Sequence, residues 1–314
     1  MMKQLFKLLY RLGLRKAYAR IDRLHYLKRL GKGKHPADDK YFASRDPEQF
    51  VQGNELCITE EFRGTRVAFL CDSRHHFERL IIRQGFSGHA VLDHMAAWAR
   101  PGTIVIDVGA NVGAYAVPLA AAYPDVVVHA FEANPVVAAR MTENAALNSL
   151  ANLTVRASAL ADAKGVMEFY QFDDDISLSS LSRHAAEIHG TPTLGQVQVE
   201  MMDDLFAVDG RRISVIKIDV QGVELRVLRG AKNLIAAYKP VILFEHEDSH
   251  FESPEQVEAE KTALAAFFNS QEYRCFYLSR YDPKMLFPVE WSRPLHGDVL
   301  ALPLAEKVTV PLLS

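Results

Sequence analysis

This sequence predicts a doubly wound α/β fold on a mostly parallel sheet, preceded by an N-terminal extension. Three observations predict it. Apolar strands at residues 104–108, 126–131 and 213–220 alternate with helical stretches, the order of βαβ units. The turn after the first strand reads Asp107-Val-Gly109-Ala-Asn111-Val-Gly113, with glycines where a backbone must approach something closely. The second strand ends in an acid, Glu132, nineteen residues beyond Gly113, a place that suits a pair of ribose hydroxyls.

The bulk numbers agree with this class. The 314 residues allow one large α/β domain plus an extension. A net charge of −3 gives no ground for a nucleic-acid partner. The three cysteines, Cys57, Cys71 and Cys275, are scattered without CxxC spacing, which fits a reducing compartment and argues against a zinc site. No apolar run approaches the ~20 residues of a membrane span. No small-residue cleavage site follows an apolar core at the N-terminus, so no signal peptide is expected and a cytoplasmic location is.

Residues 1–34 carry eleven Lys or Arg and one acid, Asp22. Lys3, Lys7, Arg11 and Arg15 recur every fourth position while Leu5, Leu8, Leu9 and Leu12 fill another face, the pattern of a basic amphipathic helix. Such a helix packs on its own domain, joins a second subunit in a homo-oligomer, or lies on an anionic membrane surface as a peripheral contact. Residues 31–36 read as a linker, so the first unit is 1–36. Residues 37–87 form an accessory subdomain with weak strand signals at 55–59 and 66–71, and 88–314 the main domain.

Within the main domain, residues 88–99 are helical and Arg100-Pro101-Gly102 ends that helix. The strand at 104–108 is continuously apolar, as a central parallel strand is. Helices follow at 114–122 and at 135–148, where Pro135 suits the first turn. A third strand occupies 153–157, a fourth 213–220, and a helix 222–238 carries Leu225, Leu228, Ala231 and Ile235 on one face. A fifth strand at 240–245, a helix at 254–269 and strands at 273–278 and 298–303 complete the set. Residues 158–200 interrupt the alternation with a strand pair, 166–172 and 196–201, around a serine-rich acidic loop of the kind that is mobile or faces substrate.

The turn does not match a dinucleotide fingerprint. G-x-G-x-x-G places a second glycine against the pyrophosphate, and that position here is Asn111. An asparagine would crowd a pyrophosphate yet hydrogen-bond a ligand that has none. S-adenosylmethionine is such a ligand, with an adenosine, an amino-acid end and no phosphate. The absence of a GKS or GKT triplet removes a P-loop as well.

Asp107-Val-Gly-Ala-Asn-Val-Gly113, Phe131-Glu-Ala-Asn-Pro135, Ser179-Ser-Leu181 and, above all, Lys217-Ile-Asp-Val-Gln-Gly-Val-Glu-Leu-Arg-Val-Leu-Arg-Gly-Ala231 resemble the FkbM family of S-adenosylmethionine-dependent methyltransferases. The resemblance runs over roughly residues 80–302 and leaves the first 75 residues uncovered. It implies a class I methyltransferase fold, a Rossmann-like seven-stranded sheet whose last strand is antiparallel. It implies methyl transfer mostly to oxygen, on a sugar or polyketide hydroxyl. By position, Asp107, Gly109, Asn111 and Gly113 would hold the methionine end of the cofactor, Glu132 the ribose, and Ser158 and Ala159 the adenine, with Asp162 a further neighbour. Asn134, in the same motif as Glu132, is a further cofactor-side candidate. One departure stands out: the family usually reads Asp-Val-Glu-Gly where this chain has Asp219-Val-Gln221-Gly222.

Asp219 ends the fourth strand, and Glu245 and His246 end the fifth, its expected neighbour. Polar groups on adjacent strand tips make a catalytic floor. Methyl transfer to a weakly acidic hydroxyl needs alignment and a base. His246 is the candidate base near neutral pH, and Asp219 orients the acceptor or shares that role. Asp219, Glu245, His246 and His250 could instead gather a divalent ion, or residues 246–250 could be a solvated loop; no metal is assigned. Tyr277, Tyr281 and Trp291 could stack on a sugar or pack as core or lid. The sequence thus predicts an O-methyltransferase for a small-molecule or glycan acceptor, a sugar, glycoconjugate or secondary metabolite. Its rivals are an NAD-dependent oxidoreductase and a non-catalytic module that keeps the cofactor fold.

Overall fold

The computed structural model describes residues 50–52, 55–85, 90–172, 179–188, 190–208, 210–278 and 286–306. The expected basic helix and linker of residues 1–36 lie outside them, as do Tyr281 and most of the serine-rich loop. No helix among the described residues is long and apolar enough to cross a membrane.

Three N-terminal strands, β1 (Phe50–Gln52), β2 (Glu55–Phe62) and β3 (Thr65–Asp72), form an antiparallel sheet. The β2–β3 hairpin closes at Arg63-Gly64, both left-handed at φ 51 and 80, the twist a two-residue hairpin needs. Helices α1 (His76–Gln84) and α2 (Ala90–Trp98) lead to β4 (Ile104–Val108), then α3 (Ala116–Ala122), β5 (Val127–Phe131), α4 (Pro135–Leu147) and β6 (Leu153–Arg156). The insertion holds β7 (Ala159–Leu160), β8 (Gly165–Gln171), α5 (Arg183–Glu187) and β9 (Thr193–Glu200), followed by α6 (Met202–Leu205). The second half runs β10 (Ile213–Ile218), α7 (Glu224–Gly230), α8 (Lys232–Tyr238), β11 (Val241–Glu247), α9 (Pro254–Ser270), β12 (Tyr273–Leu278), β13 (Leu286–Pro288) and β14 (His296–Pro303).

The main sheet has the order β13-β12-β14-β11-β10-β4-β5-β6. Strands β6, β5, β4, β10 and β11 are parallel, and β14 enters antiparallel between β11 and β12. This is the class I methyltransferase architecture, with one correction: among the described residues the sheet has eight strands and not seven. The eighth, β13, pairs antiparallel with β12 at the edge, buries Leu286 and ends at Pro288, a residue that donates nothing to the ladder.

The chain expected as one helix over 222–238 is two, α7 and α8, broken at Ala231. The break coincides with Gly230 and with a close contact from the insertion. A side chain at Gly230 would stand 2.0 Å from the Ala161 carbonyl oxygen, so the helix ends where another backbone presses on it.

Both faces of the sheet are covered. Val105, Val215, Val241, Leu243 and Leu300 join one core with α2, α3, α4 and the β2–β3 hairpin. Ile106, Val108, Ile216, Ile218, Ile242 and Phe244 join the other with α7, α8 and α9. The alternation of these two sets along each strand decides which strand-end side chains share a face.

The hairpin is tied to the sheet by two asparagines one turn apart, Asn144 in the last turn of α4 and Asn148 just after it. Asn148 exchanges hydrogen bonds with both backbone groups of Ala68, and Asn144 accepts from the Leu70 N–H at 2.7 Å. Asn144 also donates to the Val112 carbonyl at 3.1 Å, inside the turn after β4. These amides satisfy groups of β3 that a neighbouring strand would otherwise take. Asn144 is fully buried, so Asn144→Ala leaves buried polar groups unpaired and should cost about 2–3 kcal/mol in chemical denaturation. A loss below ~0.5 kcal/mol would show that this tie does not matter.

Candidate functional site

The carboxyl ends of β4, β5, β10 and β11 lie side by side, and the candidate residues of the sequence are spread along them. After β4 the chain turns sharply. Gly109 is left-handed (φ 71), and its N–H and that of Ala110 both donate to the Phe131 carbonyl at 2.9 and 3.0 Å. A Cβ on Gly109 would lie 1.8 Å from the Asp219 carbonyl oxygen. The glycine therefore lets the β4 turn press backbone to backbone on the end of β10. Gly113 (φ 92) has its own reason, because a Cβ there would meet Val117 and Met141 at 2.8 and 2.9 Å. Asn111 is left-handed at φ 51, and its side-chain oxygen accepts from the Val112 N–H at 2.8 Å.

Glu132 closes this turn from β5. One carboxylate oxygen accepts from the Asn111 N–H and the other from the Asn134 N–H, both at 2.9 Å. Each oxygen has a further lone pair for a hydroxyl donor. Burial, at 9% exposure, pushes the carboxyl up to about 6, against the pull of those two amides. Asn134 caps α4, accepting from the Val136 N–H at 3.0 Å, with Pro135 in the first turn. Ser158 donates to Glu200 at 2.7 Å. Ala159 lies in a small core with Phe169, Val197 and Val199, against which Ala133, the neighbour of Glu132, packs. Asp162 is engaged with Arg226 at 2.9 Å.

Asp107 is fully buried beneath the turn and faces Lys217 of β10. The Lys217 ammonium stands 3.3 Å from Asp107, 3.4 Å from Asp219 and 3.0 Å from the Gly109 carbonyl, and 5.1 Å from the centre of the Tyr115 ring. Burial alone would lower the Lys217 pKa, but Asp107 and Asp219 outweigh it and hold the ammonium charged. Burial pushes Asp107 upward, and Lys217 offsets this in part.

Asp219 and Glu245 meet through Gln221. The Gln221 amide nitrogen donates to Asp219 at 3.2 Å and to Glu245 at 3.1 Å. Gln221 is left-handed (φ 57), and its carbonyl accepts from the Ser180 hydroxyl at 2.8 Å. Glu224, buried and pushed up to about 7 by that burial, accepts from the N–H groups of Gly222 and Val220 at 3.0 and 3.3 Å. Burial, together with Asp219 and Asp298, pushes Glu245 well above the ordinary carboxylate range.

His246 is not part of this group. Val241 and Leu243 precede Glu245 on one face of β11, and Ile242 and Phe244 precede His246 on the other. The imidazole stacks on Phe251 with ring centres 5.6 Å apart and its Nε2 lies 3.3 Å from Asp248, in the layer of α7 and α9. The four residues considered for a divalent ion are thereby divided between the two faces. Residues 246–250 are not a solvated loop: β11 continues to Glu247, a 3-10 turn covers Asp248–His250, and His246, Glu247 and His250 are buried. Tyr277 and Trp291 pack against the core of the same layer. His246→Phe should therefore shift the melting temperature while leaving S-adenosylmethionine affinity within about threefold of the parent; a larger loss of affinity would return His246 to the site.

Sequence reasoning missed Lys217, Tyr115 and Ser180 and read Gln221 only as a departure. Lys217 carried a signal, since a lysine inside an apolar strand that is otherwise wholly buried needs a partner.

The donor set selects among ligands. Asp107, Glu132, Asp219 and Glu245 are acids, and Lys217 is the cation set among them. This excess of carboxyl groups suits a ligand carrying a sulfonium, an ammonium and free hydroxyls, and opposes a pyrophosphate. S-adenosylmethionine fits these residues and a nicotinamide dinucleotide does not.

A family model described as the methyltransferase FkbM domain matches residues 107–275. The 31-O-demethyl-FK506 methyltransferase FkbM of Streptomyces tacrolimicus is 29% identical over 181 residues, 49% of this chain and 69% of that protein. Methyltransferase sdnD of Sordaria araneosa is 26% identical over 153 residues, 40% of this chain and 59% of its own length. A crystal structure of methyltransferase FkbM from Methylobacillus flagellatus KT aligns over 71% of this chain and 53% of its own, at 13% identity and a TM-score of 0.40.

Proposed function

This chain belongs to the methyltransferase FkbM domain family, and we propose that it moves a methyl group from S-adenosylmethionine to a hydroxyl oxygen of a sugar, glycoconjugate or secondary metabolite. The observation that carries the oxygen assignment is the pair of acids, Asp219 and Glu245, held by one amide at the tips of adjacent strands. A hydroxyl is a poor nucleophile until its proton has somewhere to go, and a carboxylate at hand supplies the place. The name of one relative, a 31-O-demethyl-FK506 methyltransferase, supports the same reading.

S-adenosylmethionine, when bound, supplies an electrophilic methyl whose sulfonium leaves as a neutral thioether as the acceptor oxygen takes the carbon. Glu132 would accept from the ribose hydroxyls, and Asp107 with the Gly109–Gly113 turn would hold the amino-acid end. Asp219 accepts the acceptor's proton as the new bond forms, and solvent later removes it. Glu245 stands beside Asp219, joined to it through the Gln221 amide, and would orient the acceptor hydroxyl. Residues 88–314 are the catalytic domain in this reading, 37–87 an accessory to it, and the protein works in the cytoplasm. Residues 1–34 would place it against an anionic bilayer; equal flotation of intact and 1–34-deleted protein on anionic vesicles would remove that part.

Thermal melting with S-adenosylmethionine, S-adenosylhomocysteine and NAD tests the cofactor, since a ligand at 100 times its dissociation constant adds about 2.7 kcal/mol. A shift with the adenosyl ligands alone is expected. Isotopic methyl transfer to a panel of glycan and polyketide hydroxyls then tests the acceptor class, and label found on nitrogen or carbon would overturn the oxygen assignment.

A further inference from the structure

We propose that Gln221 is a positioning residue of the methyl-transfer site, its side-chain amide tying Asp219 and Glu245 into one carboxylate pair on the acceptor side. This rests on the reading of those two acids as acceptor-side groups.

The first observation is the contact itself. One nitrogen lies 3.2 Å from an Asp219 oxygen and 3.1 Å from a Glu245 oxygen, so its two hydrogens serve two acids that come from different strands. Lys217 does not do this work, because its ion pairs run to Asp107 and Asp219. On the other side Glu245 faces Asp298, its register partner across β14, which is a like charge. Glu245 thus lies between two acids, and the amide is the neutral donor set between it and Asp219.

The second observation is how much of the fold is spent on holding Gln221. Its left-handed backbone is one that glycine adopts freely and a side chain does not. The strain is held from several directions. Ser180, from the insertion, fixes its carbonyl, and Glu224 fixes the N–H groups on either side of it. A Cβ on Gly222 (φ 97) would lie 3.0 Å from the His250 Cβ, so glycine lets the turn after β11 pack closely here. The insertion, α7 and the turn after β11 thus converge on one residue whose side chain reaches the two acids.

The third observation is charge. An amide offers two donors and adds no charge. A glutamate at this position would bring a third carboxyl within about 3 Å of two others and would need a proton or a cation to stay there. Gln221 is therefore the reason this pair can persist with Lys217 as the cation beside it. The family departure seen in the sequence is a clamp, and not the loss of a base.

The test uses the full chain. Gln221→Glu and Gln221→Leu are melted from about pH 5 to about pH 8, with and without Mn²⁺, and with S-adenosylmethionine as a separate arm. In Gln221→Glu the added carboxyl has its pKa raised in the folded state, so stability is retained at low pH and lost as pH rises through that value. The deficit against the parent should be near zero at about pH 5 and several degrees at about pH 8, and Mn²⁺ alone should recover part of it. Gln221→Leu, which leaves Glu245 without its donor, should show the same sign with a smaller slope. A deficit independent of pH in both variants overturns the proposal. With an acceptor in hand, Gln221→Leu should lower kcat at least tenfold with the S-adenosylmethionine KM within about twofold; a change in KM alone also overturns it. Loss of the S-adenosylmethionine shift in the parent protein would instead strike the cofactor reading and leave the clamp intact.

Discussion

Asp219→Asn is expected to lower kcat by about 10²- to 10⁴-fold while S-adenosylmethionine binding stays within a few-fold. The carboxylate lies at the end of β10 with its backbone N–H fixed to the Val108 carbonyl at 3.0 Å. Asparagine keeps the shape and can still accept from the Gln221 amide. It cannot take a proton from the acceptor, and its own amide hydrogens would face the Lys217 ammonium that now pairs with Asp219 at 3.4 Å. The effect should therefore fall on turnover, with a secondary loss of about 1–2 kcal/mol in stability from the unpaired donor. Steady-state kinetics with the acceptor identified by the label screen separates the two. A fall in kcat of less than about tenfold would mean that Asp219 orients the acceptor and another group takes the proton.

Glu132→Gln should abolish the S-adenosylmethionine-induced rise in melting temperature at concentrations that saturate the parent. Each oxygen of Glu132 accepts a backbone N–H, from Asn111 on one side and Asn134 on the other. A glutamine can accept on one side only and would turn its own N–H toward the other donor. The turn after β4 and the start of α4 would separate, and the acceptors for two ribose hydroxyls would be lost with them. The expected cost to the free protein at low pH is about 1–3 kcal/mol.

The pH dependence of this site carries a sign. The Glu132 carboxyl is raised to about 6 in the folded protein, above its ordinary value of 4.5. Its contribution to stability is complete below the unfolded value and is lost as pH rises through about 6, a loss of about 2 kcal/mol at about 1.4 kcal/mol per pKa unit. Hydroxyl donors favour the charged form, so S-adenosylmethionine affinity should rise over the same window. Titration calorimetry from about pH 5 to about pH 7.5 measures this, and a flat affinity would show that Glu132 does not meet the ribose.

Local signals carried much of the fold. The apolar runs at 104–108 and 213–220 correspond to β4 and to β10, which ends two residues earlier at Ile218, and β10 is buried throughout, because a strand covered on both faces must be apolar along its whole length. The strand pair expected inside the insertion at 166–172 and 196–201 appears as β8 and β9 in antiparallel register, with β9 starting three residues earlier. Pro135 marked the start of α4 by chemistry local to the first turn, and the structure adds the Asn134 cap. The same locality hid other features. The edge strand β13 is three residues long, too short for any period to show. The break between α7 and α8 falls at Gly230, a local signal, but the Ala161 carbonyl that packs on that glycine comes from the insertion.

On its own, the sequence determined the α/β class, the turn from Asp107 to Gly113 and the acid at Glu132, because these lie close together along the chain and obey rules of neighbouring residues. Only the tertiary structure decided which of two adjacent residues, Glu245 or His246, joins Asp219. A strand buried on both faces shows no polar side in its sequence, so the parity that turns Glu245 toward Gln221 and His246 toward Phe251 is set by the layers packed on either face. The same holds for Gln221, whose partner Glu245 is 24 residues away and reaches it through strand order. Contacts of that range depend on how β10 and β11 are paired, and no local pattern along the chain records it.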